Sequence, residues 1–401
     1  MKNINALDSL NLKKRMLAVR GDALRFLRAN GTEIELLTAL LETIRRENEH
    51  LGICCVPILE GRALPCLCCG EAVPGEPLQP DSRIRVHSIS KLLGGIVLMR
   101  LWEAGRIDLD QDLSEAFGYE IRNPRHRDVP ITLRQLMTHT SSLHDNGDYL
   151  DMGTERMKPL SQYFRRATCA RNFTEARPGT RYAYSNLGAG MQGALVEKLT
   201  GRDFDSVARE LLFAPLGLDA GYYPQRIRER ALLANIHRWP DFHTSYDARA
   251  IARSQEEAYA DPEMHYTTMP GRVNISMPDL AKVARMLMNG GELDGTRLLR
   301  EETVRLILTA QSGIGSVRRS ERGLNMDIAE DAFAPGRTFY GHQGGAYGGT
   351  AELWFEPETG CGVALATTGG RCRSVRPFAR VGHEAVTAMV AALDLLRGAA
   401  E

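Results

Sequence analysis

The chain has 401 residues, of which 43% are hydrophobic and 25% charged, an ordinary composition for a globular protein with a large core. Its 50 lysines and arginines balance 50 aspartates and glutamates. This balance argues against nucleic acid or an anionic membrane surface as a partner, because both attract proteins with a basic excess or patch.

The N-terminal segment carries a loose helical period, so we predict a helical extension over residues 1–32. Lys13, Lys14 and Arg15 interrupt its leucines, and it contains no apolar run of the signal-peptide type. No stretch of the sequence reaches the roughly 20 apolar residues of a membrane span. We therefore expect a cytoplasmic protein without a membrane partner.

The next segments alternate between helix and strand patterns. Residues 33–49 have the apolar stripe of an amphipathic helix. Two short apolar runs, 52–59 and 63–69, flank Glu60-Gly61-Arg62 and predict a β-hairpin. Further helices are predicted over 88–104, from 131 to 138, and over 187–200, where Gly201 marks the end.

The second half of the chain is less regular at first. Residues 216–270 are predicted to be mostly loop with short elements. A helix is expected from 279 to 288, and strands over 350–355 and 362–368. A last helix is predicted at about 379–397.

This order predicts an α/β (α+β) fold: an antiparallel sheet, built from both ends of the chain and flanked by helices, with an inserted all-helical lobe. We expect the sheet domain to comprise residues 33–87 and 265–401, and the helical domain residues 88–264. A binding site would lie in the cleft between them.

Five of the eight cysteines crowd into sixteen residues. The spacing Cys66-x-Cys68-Cys69 does not match a common zinc site. We interpret Cys54, Cys55 and these three as small apolar residues on neighbouring strands of a protein from a reducing compartment. Neither a metal nor a cofactor is predicted.

The first chemical motif is Ser88-Ile-Ser-Lys91. Residues three apart share a helix face, so the Lys91 amine can reach the Ser88 hydroxyl and remove its proton. The helix dipole and burial would both lower the lysine pKa. Alone, the motif is equally compatible with a solvent-facing lysine, although the apolar run 92–99 indicates a buried helix.

The second motif is Tyr184-Ser-Asn186, just before a predicted helix. A tyrosine beside a lysine ammonium can have a lowered pKa and shuttle a proton to a leaving group. The asparagine amide can hold both Lys91 and a substrate carbonyl. Taken alone, a capping asparagine beside a packing tyrosine is the simpler interpretation.

The third motif is His342-Gln-Gly344-Gly345. Glycines at a strand allow close approach of a substrate, and the Gly345 N–H can form an oxyanion hole with the Ser88 N–H. A glycine-rich turn into a strand explains this segment equally well.

In this order the three motifs resemble those of the penicillin-binding proteins and serine β-lactamases. The Tyr-x-Asn form is similar to the branch with class C β-lactamases, D,D-peptidases, D-aminopeptidases and esterases. Residues 131–143, 277–281 and 289–295 also have the look of this family. The resemblance covers roughly residues 33–395 and implies the β-lactamase/transpeptidase-like fold.

The resemblance also implies a role for each motif residue. Ser88 would be the acylated nucleophile and Lys91 its base, with Tyr184 as the proton shuttle. The substrate and oxyanion would be held by Asn186, His342, Gly344 and Gly345.

Two departures affect the substrate. His342 replaces the lysine of β-lactamases and would supply only a weaker, pH-dependent positive charge, and Gln343 replaces a hydroxyl residue. We therefore expect a cytoplasmic serine hydrolase that acts on a small amide, a D-amino-acid peptide or an ester. The alternatives are an acyltransferase, a β-lactamase and a non-catalytic ligand-binding protein. The sequence leaves the oligomeric state open.

Overall fold

The structure is a computed structural model that describes residues 33–145, 158–165, 169–254, 261–311 and 320–398. The predicted N-terminal extension, 1–32, lies outside the described residues. Among the helices that are described, none combines the length and the apolar character needed to cross a bilayer.

Helices occur along the whole described chain. Numbered in chain order, they are α1 (Glu33–Glu47), α2 (Ile89–Glu103), α3 (Leu113–Phe117), α4 (Leu133–Met137), α5 (Leu160–Arg165), α6 (Asn186–Thr200), α7 (Phe204–Ala208), α8 (Ala248–Arg253), α9 (Met277–Met288), α10 (Glu301–Leu308) and α11 (Arg380–Gly398).

The strands concentrate towards the two ends of the chain. They are β1 (Gly52–Leu59), β2 (Arg62–Ala63), β3 (Leu67–Val73), β4 (Glu76–Pro77), β5 (Ile84–Arg85), β6 (Ile236–Arg238), β7 (His243–Tyr246), β8 (Asn274–Ile275), β9 (Glu292–Leu293), β10 (Thr296–Arg297), β11 (Ser320–Arg322), β12 (Asp327–Glu330), β13 (Thr338–Ala346), β14 (Gly349–Glu356), β15 (Cys361–Thr367), β16 (Gly369–Gly370), β17 (Ser374–Val375) and β18 (Phe378–Ala379).

The main sheet joins strands from both ends of the chain in the order β11-β12-β13-β14-β15-β1-β3-β4, with β2 paired to β1. Its neighbouring strands are antiparallel, as in the pairing of β1 with β15 and of β13 with β14. The predicted class, an antiparallel sheet flanked by helices, is therefore confirmed. The exact boundaries between a sheet domain and a helical domain stay a prediction.

Helices cover both faces of this sheet. On one face, α1 and α11 pack over a core that includes Val363 and Leu365. On the other, α9 and α2 pack over a core that includes Ala364 and Ala366. Since successive strand residues point to opposite faces, β15 reads as one continuous apolar run with larger residues under α11 and alanines under α9.

Most predicted helices and strands are confirmed within a few residues, but the second strand of the predicted β-hairpin is not continuous. The run 63–69 was expected to form one strand, and the structure divides it into β2 and β3. Pro65 lies in the break. Because proline has no N–H to donate to a neighbouring strand, the pairing with β1 is interrupted there.

Four of the five clustered cysteines lie on the neighbouring strands β1 and β3 and Cys66 lies just before β3, but two of the five are not free thiols. Cys54 on β1 faces Cys68 on β3, and a disulfide joins them. The sulfur of Cys66 lies 3.7 Å from that of Cys68. The expectation of reduced thiols was therefore wrong for this pair, because strand pairing brings together residues that the local spacing kept apart.

Candidate active site

Ser88 stands at the start of α2, just after β5. The strand β5 is anchored by pairing with β8, where Ile84 lies opposite Ile275. A serine at a helix N-cap commonly accepts a hydrogen bond from the first turn, but the Ser88 hydroxyl makes no such bond. Its oxygen is therefore available to other partners.

Lys91 lies one turn further along α2 and is fully buried. Its Nζ is 3.1 Å from Ser88 Oγ and donates a hydrogen bond of 2.7 Å to the carbonyl oxygen of Pro270. Burial lowers the pKa of Lys91 to about 7, although the carboxylate of Asp145 opposes this shift. The buried lysine expected from the sequence is therefore present, with an amine that is partly neutral near pH 7.

Tyr184 approaches the same hydroxyl from another element. Its phenol donates a hydrogen bond of 3.0 Å to Ser88 Oγ, and its ring lies 4.5 Å from that of His139. Burial raises the pKa of Tyr184 to about 12. The lowered pKa expected from the sequence was wrong in direction, because loss of hydration outweighs the nearby positive charges.

Asn186 opens α6, while Ser185 caps that helix by accepting a hydrogen bond from the Gly188 N–H. The Asn186 side chain donates to Asp145 Oδ2 at 2.7 Å, and its backbone N–H donates to the same oxygen at 2.9 Å. One N–H of the amide is thus committed to Asp145, and among the described residues no hydrogen bond joins Asn186 to Lys91. Asp145 belongs to none of the sequence motifs, and only the fold brings it next to Asn186.

His342 lies on β13 and is buried. The pKa of His342 is lowered to about 4, mainly by burial; the charge of Asp327 opposes this shift, and the charges of Arg322 and Lys91 add to it. One ring nitrogen, Nδ1, lies 2.6 Å from the Gln343 carbonyl oxygen and so carries the proton, while Nε2 makes no hydrogen bond to any described residue. We expected a weak positive charge on His342. That expectation was wrong for neutral pH, because the ring is uncharged at pH 7.

The two glycines that follow have different surroundings. A Cβ on Gly344 would collide with the Val86 carbonyl and lie 3.1 Å from the Ser88 nitrogen. A Cβ on Gly345 would find only the Gly349 oxygen, at 3.8 Å, and Gly345 is exposed. Gly344 therefore presses β13 against the start of α2, and Gly345 borders open space beside it.

A buried ion pair close to these residues was missed in the sequence. Arg322 pairs with Asp327 and donates a hydrogen bond of 2.7 Å to the Tyr182 hydroxyl. Both charges act on the pKa of Lys91, with opposite signs. No local pattern marks either residue, because β11 and β12 bring them together only by pairing.

The chain matches a family model described as Beta-lactamase over residues 69–380. It is 27% identical to penicillin-binding protein 4 of Amycolatopsis lactamdurans over 302 residues. These residues make up 74% of each of the two chains. It is 30% identical over 173 residues to the D-alanyl-D-alanine-carboxypeptidase/endopeptidase AmpH of Escherichia coli K12, 41% of this chain and 43% of that protein.

The fold is also similar to that of a D-amino acid amidase from Ochrobactrum anthropi. The TM-score is 0.68 at 18% identity, and the match covers 91% of this chain and 98% of the amidase chain. The chain belongs to the β-lactamase family and is a serine hydrolase of the β-lactamase-related type.

Proposed function

We propose that the protein cleaves a small amide, a peptide containing a D-amino acid, or an ester through an acyl-enzyme on Ser88. One observation carries the proposal: Ser88 Oγ lies within 3.1 Å of Lys91 Nζ and 3.0 Å of Tyr184 Oη. A hydroxyl held between an amine and a phenol has one group to take its proton and another to donate one.

In the first step, the neutral Lys91 amine takes the Ser88 proton and Oγ attacks the substrate carbonyl carbon. The negative charge that develops on the carbonyl oxygen is stabilised by the backbone N–H groups of Ser88 and Gly345. Gly344 supports this arrangement, because the lack of a side chain lets β13 lie against the start of α2.

In the second step, the leaving group needs a proton. Tyr184 is a neutral phenol with a pKa of about 12, so it can donate one while the Lys91 ammonium restores it. The leaving amine or alcohol departs and the acyl group stays on Ser88. Water then attacks the acyl-enzyme by the same groups in reverse order.

The neutral His342 supports an amide or ester substrate over a β-lactam. A cation at this position would attract a substrate carboxylate, and a neutral imidazole does not. A D-amino-acid substrate is supported by the names of two similar proteins, a D-alanyl-D-alanine carboxypeptidase and a D-amino acid amidase.

The cytoplasmic location is a proposal that rests only on the pattern of apolar and charged residues along the sequence. The disulfide between Cys54 and Cys68 argues in the other direction, because disulfides are more typical of oxidising compartments. Alkylation of the protein as isolated from its own cells, followed by mass spectrometry, would decide between the two: free thiols at both positions support the cytoplasm.

The acyl-enzyme is tested with a fluorophosphonate probe and intact-mass spectrometry. We expect one adduct, located on Ser88, which is absent in Ser88→Ala. The neighbouring Ser90→Ala variant is the matched control and should still be labelled, since Ser90 Oγ accepts a hydrogen bond from the Val273 N–H and makes none with Lys91 Nζ. Equal labelling of the Ser88→Ala protein would refute the proposal.

A further inference from the structure

Arg85, Tyr246 and Tyr347 form a cluster at the surface, which we call the Arg85 cluster. The guanidinium carbon of Arg85 lies 4.3 Å from the ring centre of Tyr246 and 5.0 Å from that of Tyr347. The two rings are stacked, with centres 5.8 Å apart and planes 27° apart. The guanidinium is therefore held in one place by two aromatic rings.

This cluster borders the residues around Ser88. Arg85 precedes Ser88 by three residues, and the ring of the intervening His87 lies 6.5 Å from that of Tyr347. On β13, Gly345 and Ala346 are exposed, as is Tyr347 in the turn that follows. A continuous exposed strip thus leads from the Gly345 N–H to the cluster, two residues or roughly 7 Å away.

The charge of Arg85 has no acidic partner among the residues that the structure describes. Its Nε donates a hydrogen bond of 2.8 Å to the Gly271 carbonyl, and its two terminal nitrogens make no hydrogen bond there. Two other arginines near the site differ, since Arg83 pairs with Asp219 and Arg322 with Asp327. Arg85 therefore offers a positioned, partly exposed fork of N–H donors, the geometry that binds a carboxylate in two places.

We propose that the Arg85 cluster is a subsite for a carboxylate on the acyl part of the substrate. This inference rests on the proposed function, in which the Gly345 N–H holds the acyl oxygen. An acyl chain that continues along the exposed strip would place an acidic group about five bonds further on at Arg85. The favoured substrates are then amides or esters of an acid that carries a second carboxylate.

The test compares two esters that differ only in charge: 4-nitrophenyl adipate, with a free carboxylate, and its methyl ester. We expect wild-type protein to have a higher kcat/KM for the acid, and Arg85→Gln to lower the acid-to-ester ratio roughly tenfold, the value of one charge-assisted hydrogen bond at a partly exposed site. Arg62→Gln, on the exposed strand β2, is the matched control and should keep the wild-type ratio.

A second variant, at Tyr347, distinguishes loss of the subsite from a folding defect in Arg85→Gln. Tyr347 lies in an exposed turn, so Tyr347→Leu should fold, yet it removes one ring that holds the guanidinium. We expect a smaller fall in the ratio for Tyr347→Leu than for Arg85→Gln, and rescue by Tyr347→Phe. A wild-type ratio in both Arg85→Gln and Tyr347→Leu would overturn the proposal.

Separate experiments test the acyl-enzyme and the subsite. Absence of fluorophosphonate labelling at Ser88 in the wild type would refute the acyl-enzyme. The subsite can still be measured without turnover by titrating monomethyl adipate into wild type and Arg85→Gln. Weaker binding to the variant, with the difference reduced by added salt, supports the subsite; equal binding refutes it.

Discussion

The Lys91 amine must be neutral to take the Ser88 proton, and its pKa of about 7 makes this a question of pH. Below pH 7 the amine is protonated, so kcat/KM should fall about tenfold for each pH unit. Above pH 7 it should level off, because the pKa of Tyr184, about 12, keeps the phenol protonated. A pH profile of kcat/KM with a neutral ester checks this.

One pH profile of kcat/KM would contradict the role of Lys91 as the base. A profile that stays flat from pH 5 to pH 8 would mean that Lys91 is already neutral or is not the base. Lys91→Arg is the matched variant: it keeps a positive charge that cannot be removed near neutral pH, so activity should be lost at every pH.

Asp145 acts on the site in two ways: its charge raises the pKa of Lys91, and its oxygens orient Asn186. It accepts hydrogen bonds from the Asn186 side chain and from the N–H groups of Asn186 and Leu187. Above pH 8, where the Lys91 amine is neutral with or without Asp145, we expect Asp145→Ala to lower kcat/KM by about tenfold, because the Asn186 amide loses its orientation.

A double-mutant cycle separates this positioning role from a general loss of stability. Asp145→Ala should have little further effect on kcat/KM when Asn186 is already alanine. Additive losses from the two changes would show that Asp145 acts independently of Asn186.

At the scale of elements, the contact between β13 and the start of α2 sets the distance from the oxyanion donors to Ser88. Gly344→Ala would force β13 away from Val86 and Ser88, so we expect a lower melting temperature and a loss of activity of at least about a hundredfold. Gly345→Ala meets open space and should fold normally. Equal melting temperatures and activities in the two variants would show that this contact is unimportant.

The elements themselves were largely predictable. The helices α1, α9 and α11 follow apolar periods in the sequence, whereas α2, β14 and β15 follow apolar runs. The helix α6 ends at Gly201, as its sequence predicts. The division of the second hairpin strand at Pro65 was missed, since the apolar composition continues across it. The short strand β5 was also missed, because two residues carry no period.

At the scale of the whole molecule, a carboxyl group is buried between the sheet and the C-terminal helix. Glu352 on β14 accepts a hydrogen bond of 2.7 Å from Trp354 Nε1, and Gly382 on α11 packs against it. Burial raises the pKa of Glu352 to about 8 from its ordinary 4.5. The folded protein therefore holds this proton over a pH range where the unfolded chain has lost it.

This linkage predicts how stability depends on pH. A raised carboxyl pKa stabilises the fold fully only below pH 4.5, and this contribution is lost as pH rises to 8 and beyond. Glu352→Gln keeps the shape without the titration. We expect its free energy of unfolding to fall less than that of the wild type between pH 6 and pH 9, as measured by urea denaturation. Parallel curves for the two proteins would contradict a buried, protonated Glu352.

The sequence by itself determined the fold class and the motif residues that meet at Ser88. Ser88 and Lys91 share one helix, so their proximity follows from helical geometry alone, and Tyr184 was found because it lies in a recognisable motif. Only the tertiary structure decided the electrostatics, because a pKa depends on burial and on charges from distant parts of the chain. That is why the pKa shift of Tyr184, the neutrality of His342 and the contribution of Asp145 emerged only from the packed molecule.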